Sequence, residues 1–139
     1  YGYNSVSGQL MVSADKKTWE NRGQVTLRDF AVSPDDPDTL VASGERGVIR
    51  STDRGSTWKN LDDTAVMLLD WPAGDRLWAI GINGEVMRSA DGGDTWSNLG
   101  SVDGVATAFA VQDNALHVAT QDGRIQRSTD DGKTWDALY

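Results

Sequence analysis

Three kinds of side chain in this sequence have the reactivity to do chemistry, and each asks for a particular neighbourhood. Asp29 and Asp70 lie against apolar stretches, in Asp29-Phe30-Ala31-Val32 and Leu68-Leu69-Asp70-Trp71. Two carboxylates brought to face one space can polarise water, hold a cation or bind a sugar hydroxyl. Tyr1, Tyr3 and Tyr139 carry phenols, but a tyrosine acts as a glycosidic nucleophile only when a buried acid or base activates it. All three sit at the ends of the chain, where a site is hard to preorganise. Arg50, Arg88 and Arg127 each stand directly before a serine, so they recur with a period and are read as structural in every copy. His117, the single histidine, lies between Leu116 and Val118 with no acidic neighbour, which points to packing or exposure in place of catalysis. No spacing calls for a metal or a cofactor, so neither is expected, and no catalytic residue is assigned.

The elements that position these groups come from an internal repeat. Ser51-Thr-Asp53-Arg-Gly55-Ser-Thr57-Trp58, Ser89-Ala-Asp91-Gly-Gly93-Asp-Thr95-Trp96 and Ser128-Thr-Asp130-Asp-Gly132-Lys-Thr134-Trp135 share the pattern S-x-D-x-G-x-T-W. Ser13-Ala-Asp15-Lys-Lys-Thr18-Trp19 is a fourth copy, one residue short and without the glycine, whose hairpin is expected to form in a tightened shape. Tryptophan falls at 19, 58, 96 and 135, steps of 39, 38 and 39 residues, the length of one four-stranded propeller blade.

Within one period the strands predicted are 27–32, 39–43, 48–52 and 57–61, separated by the turn Ser33-Pro34-Asp35-Asp36-Pro37, by Gly44-Glu45-Arg46-Gly47 and by the motif itself. The next period gives 66–71, 77–80, 85–89 and 95–99, and the last gives 107–111, 116–120, 124–128 and 134–138. No segment has a helical period. The expected fold is all-β, a propeller of four-stranded antiparallel blades with about three and a half blades in this chain: a half blade over 1–20 and blades over 21–62, 63–100 and 101–139. Residues 3–20 are read as only the last two strands of theirs.

The motif makes physical sense without catalysis. Its aspartate can accept backbone N–H bonds from residues just ahead, and its glycine can take the positive φ that closes the turn. Threonine suits the strand that follows, and tryptophan can lie between neighbouring sheets with its indole N–H paired. A feature that recurs once per blade belongs to the scaffold. In such a fold the functional surface lies where the innermost strands begin and the second-to-third turns project. That places Asp29 and Asp70 at roughly equivalent points of one mouth, with Arg28, Glu45, Arg46, Asn83, Gln121 and Asp122 as neighbours, as a binding surface or a solvated rim.

Composition limits the partners. In 139 residues, 13 Lys and Arg face 21 Asp and Glu for a net charge of −8, which disfavours nucleic acid and anionic membrane surfaces. There is no cysteine and no apolar run long enough to span a bilayer, and the chain begins at Tyr1, as a cut or processed end would.

S-x-D-x-G-x-T-W resembles the Asp-box, or bacterial neuraminidase repeat, of sialidases, sortilin-type receptors, photosystem II assembly factors of the propeller type and many exported bacterial proteins. Residues 1–15, 29–38 and 68–72 are similar to the C-terminal half of an actinobacterial family of sialidase-like glycosyl hydrolases. The resemblance implies a six- or seven-bladed parent in an extracytoplasmic setting. It also implies, in sialidases, three arginines on a carboxylate, a tyrosine with a glutamate and an acidic aspartate, a set with no counterpart in this sequence. Three functions follow as expectations: a non-catalytic interaction platform of the cell envelope with a glycan or protein ligand, a sialidase-like glycosidase with its catalytic residues mostly elsewhere, or a photosystem-type assembly factor. An open run of blades leaves a sheet face unburied. The remaining blades are therefore expected from the same polypeptide, a second chain or a homodimer.

Overall fold

The computed structural model describes residues 1–139. Fifteen strands form four separate sheets, and no helix is present. The first sheet holds β1 Gly2–Asn4, β2 Gln9–Val12 and β3 Glu20–Gln24. The second holds β4 Asp29–Val32, β5 Leu40–Gly44, β6 Gly47–Ser51 and β7 Lys59–Asp62. The third holds β8 Val66–Ala73, β9 Arg76–Gly81, β10 Glu85–Ser89 and β11 Ser97–Ser101. The fourth holds β12 Ala106–Gln112, β13 Ala115–Thr120, β14 Ile125–Ser128 and β15 Asp136–Ala137. Every pairing is antiparallel between neighbours in sequence.

Two expectations are corrected. The first sheet has three strands instead of two and extends to Gln24, so only the innermost strand lacks a counterpart there. The strand not expected is the first, Gly2-Tyr3-Asn4, whose three residues are too few to show an alternation, and the last strand runs past the expected boundary at residue 20 to Gln24. The last strand of each unit also starts after the tryptophan, because Thr57, Thr95 and Thr134 give their backbone N–H groups to the turn aspartate.

Adjacent sheets pack face to face through their apolar sides. Val41 and Val48 of the second sheet meet Val66, Leu69, Trp71 and Leu77 of the third, with Leu61 and Trp96 against them. Trp78, Ile80 and Val86 of the third sheet meet Ala106, Leu116 and Val118 of the fourth, with Leu99 and Trp135 against them. The innermost strands β4, β8 and β12 lie side by side. Because strands follow in antiparallel sequence order, second-to-third turns and the links between sheets share one end, the mouth. The motif turns occupy the opposite end.

Candidate functional site

At the motif end the chemistry is absorbed by the turn. Asp91 accepts the Thr95 N–H at 2.9 Å, the Thr95 hydroxyl at 2.6 Å and the Ser89 hydroxyl at 2.7 Å. Asp53 and Asp130 repeat these bonds with Thr57 and Ser51 and with Thr134 and Ser128. Ser51, Ser89 and Ser128 accept the N–H of Gly55, Gly93 and Gly132 in turn. Threonine hydrogen bonds, followed by backbone N–H bonds, hold Asp53, Asp91 and Asp130 down to about 2. The glycine has a second task besides its positive φ. Gly55, Gly93 and Gly132 are buried against Leu10, against Val41 and Val48, and against Val86 of the preceding sheet, so each turn docks on its neighbour.

The shortened copy keeps only half of this. Asp15 accepts the N–H groups of Lys17 and Thr18 at 2.8 Å each, and its carboxyl lies well below the usual range for that reason. Ser13 and Thr18 donate their hydroxyls to it. Lys16 takes the φ of 60° that a glycine would take more easily, and Trp19 is 48% exposed. Trp58 and Trp96 donate their indole N–H to Gly55 and Gly93, and Trp135 donates to Ser101 of the preceding sheet.

The recurring arginines differ from one another. Arg50 donates to the Gly92 carbonyl and, at 2.8 Å, to Asp94 of the next sheet. Arg88 instead lies over the Trp78 ring, 5.6 Å from its centroid. Arg127 is exposed.

Asp29 and Asp70 act between sheets. Asp29 accepts the Leu69 N–H at 2.8 Å and Asp70 the Val111 N–H at 2.6 Å, each reaching the innermost strand of the following sheet. Burial pushes Asp29 up, the Asp70 charge adds to this, and the N–H groups of Leu69 and Phe30 oppose it. The two positions are not equivalent. Asp29 pairs with Ser43, whereas Asp70 pairs with Trp78, the counterpart of Val41, two residues farther along.

The mouth residues are spread over several sheets. Glu45 and Arg46 line a groove of about 380 Å³ with Val25, Thr26, Ile49 and Asn60. Asn83 donates to Glu85 and lines a smaller groove of about 110 Å³ with Met67, Ile82 and Val105. Asp122 accepts from Thr120 and Arg124, which bridges to Asp103, while Gln121 and Arg28 are exposed beside them only in the sense of sharing this end. Ile82 and Val105, 53% and 59% exposed, are mouth residues that the sequence reading missed. Their place in turns hid them, because an isolated apolar residue outside a strand has no period.

Tyr1 and Tyr3 are tied to backbone: Tyr1 donates to the Pro37 carbonyl at 2.6 Å, and Tyr3 donates to Val25 and accepts the Leu27 N–H. Tyr139 is 87% exposed. His117 is half-buried with Ala108, Ala110 and Ile125 around it. A pocket of about 270 Å³ at the motif end contains Arg22, Arg54, Asp38 and Glu20, whose charges pair off as Arg54 with Asp38 and Arg22 with Glu20. No group of three His, Cys, Asp or Glu side chains is placed to hold a metal ion.

No family model and no curated protein matches the sequence. Solved structures do. YCF48 from Cyanidioschyzon merolae is 26% identical with a TM-score of 0.69, covering 94% of this chain and 40% of that one. YCF48 bound to D1 peptide is 16% identical with a TM-score of 0.70, covering 94% and 48%. An ancestral GH74 enzyme is 15% identical with a TM-score of 0.64, covering 85% and 19%. The fold is that of a β-propeller. The four sheets are its blades, and the chain spans less than half the length of these relatives.

Proposed function

We propose that this chain is the scaffold of a non-catalytic propeller that presents its mouth to an extended peptide, within an exported or cell-envelope bacterial protein. The Asp-box resemblance supports the setting. The observation that carries the reading is the fate of the carboxylates: Asp29 and Asp70 accept backbone N–H groups of the next blade, and the motif aspartates are saturated by their own turns. Each of these carboxylates has at least one oxygen committed to an N–H or hydroxyl group of the scaffold. The mouth instead offers shallow grooves with an apolar lining and isolated charges, Arg46 and Glu45 in one and Ile82 with Val105 in the other. That suits side chains of an extended segment better than a reacting centre.

A second reading, an assembly factor of the photosystem type, is favoured by the 26% identity with YCF48 over 94% of this chain. The remaining blades are supplied by the rest of a ring in either reading. Two assays separate the peptide platform from a glycosidase. Incubation with fluorogenic aryl sialosides and glucosides is expected to release no fluorophore above buffer, and binding to an array of extended peptides is expected to weaken with Arg46→Glu or Ile82→Asp. Turnover abolished by Asp70→Asn would overturn the proposal.

A further inference from the structure

The fourth blade leaves one apolar face open, and the three interfaces inside the chain show what fits such a face. In each interface a complete motif turn of the following blade is seated on the preceding sheet, its glycine against Leu10, Val41 and Val48, or Val86. Pairing with the third strand identifies the matching positions of the last blade. Val48 and Val86 correspond to Ile125, Val41 and Trp78 to His117, and Arg50 and Arg88 to Arg127. Val48 and Val86 are fully buried, whereas Ile125 is 40% exposed and Leu138, the counterpart of Leu61, is 48% exposed. Ala108, Ala110 and Ala119 complete a shallow hollow of about 210 Å³ around His117 and Ile125.

The arginine at this position responds to the turn that docks on it. Where the turn offers Asp94, Arg50 pairs with it; where the turn offers Lys133 at the same place, Arg88 lies over Trp78 instead. Arg127 has His117 across the strand pair and no indole beneath it. We infer that this face receives a further blade whose turn is a complete S-x-D-x-G-x-T-W with an acidic residue after its glycine, paired to Arg127. A second copy of this chain does not meet that description. The turn its first blade would bring has no glycine and carries Lys16 and Lys17 between Asp15 and Thr18, which would set like charges against Arg127.

The inference rests on the propeller fold and is independent of what the mouth binds. Leu138 stands three residues after Trp135 as Leu61 stands three after Trp58, so a duplicate of residues 63–101 placed after Tyr139 keeps the phase and brings a copy of Asp94 to Arg127. The chain has no cysteine, so Ile125→Cys supplies a single reporter thiol. Maleimide labelling of that thiol is expected to slow at least tenfold in the extended chain relative to the 139-residue chain. Arg127→Glu is expected to lower the urea midpoint of the extended chain and leave the shorter one unchanged. Replacing the duplicated Asp94 by Lys in that variant is expected to restore the midpoint. Equal labelling in the two chains, an equal effect of Arg127→Glu in both, or no restoration by the swap would overturn it. So would a stable dimer of the 139-residue chain in light scattering that Arg127→Glu dissociates.

Discussion

The turn at 89–96 and the turn at 13–19 contain the same aspartate chemistry and differ in what they do for the molecule. Both give a carboxylate two or more hydroxyls and at least one backbone N–H. Only the complete turn has a glycine, and that glycine is buried on Val41 and Val48 of the neighbouring blade. The shortened turn is exposed from Ala14 to Trp19. The aspartate therefore closes the hairpin locally, while the glycine joins one blade to the next. A hairpin can lose its glycine and remain a hairpin; what it loses is a seat on another sheet.

The sharpest way to break this distinction is to crowd the joint between blades. A Cβ added at Gly100 would lie 2.1 Å from the Gly132 carbonyl oxygen, against backbone that belongs to the next blade's turn. Gly100→Ala is expected to cost about 3 kcal/mol in urea unfolding. Gly132→Ala also costs stability, through its φ of 83° and a Cβ 2.8–2.9 Å from Val86 carbons, but slightly less, because the Cβ meets a side chain in place of backbone. Removal of a carboxylate between innermost strands comes next. Asp70→Ala leaves the Val111 N–H without its acceptor and is expected to cost about 2 kcal/mol.

Acid separates two kinds of aspartate. Threonine and backbone hydrogen bonds hold Asp53, Asp91 and Asp130 down to about 2, below the ordinary carboxylate value of 3.8, so the stability they contribute is complete above that ordinary value and fades as pH falls from it towards 2. Asp29 is raised by burial, so its effect has the opposite sign: its protonated form favours the fold, and that contribution is lost as pH rises through its folded value. Asp29→Asn is accordingly expected to flatten the pH dependence of the urea midpoint above pH 4, whereas Asp91→Asn flattens it below. The smallest effect is a gain: Lys16→Gly relieves a φ of 60° and is expected to raise stability by about 0.5 kcal/mol, since greater chain entropy when unfolded offsets part of the relief.

Much of the fold could be read from the repeat, because Trp19, Trp58, Trp96 and Trp135 set the phase and each strand is bounded by glycine, proline or aspartate turns. The strand Gly2–Asn4 of the first blade escaped because it is only three residues long and forms by pairing with β2. The site was less legible. Asp29 and Asp70 could be picked out as carboxylates beside apolar strands, but a one-dimensional pattern does not say that each reaches a backbone N–H forty or so residues away. The same limit applies to Arg50, Arg88 and Arg127, which are alike in sequence and diverge because the residue opposite them on the next blade differs.

Hydrogen exchange of individual amides tests the division of labour most directly, since the Gly93, Thr95, Lys17 and Thr18 N–H groups are all hydrogen-bonded within their own turns. Local bonding is therefore held constant between the two turns, and docking on another blade is what differs. The account predicts that Gly93 and Thr95 exchange only with global unfolding, while Lys17 and Thr18 exchange through local opening many-fold faster. Equal protection in the two turns would contradict the claim that the glycine seat is what joins the blades.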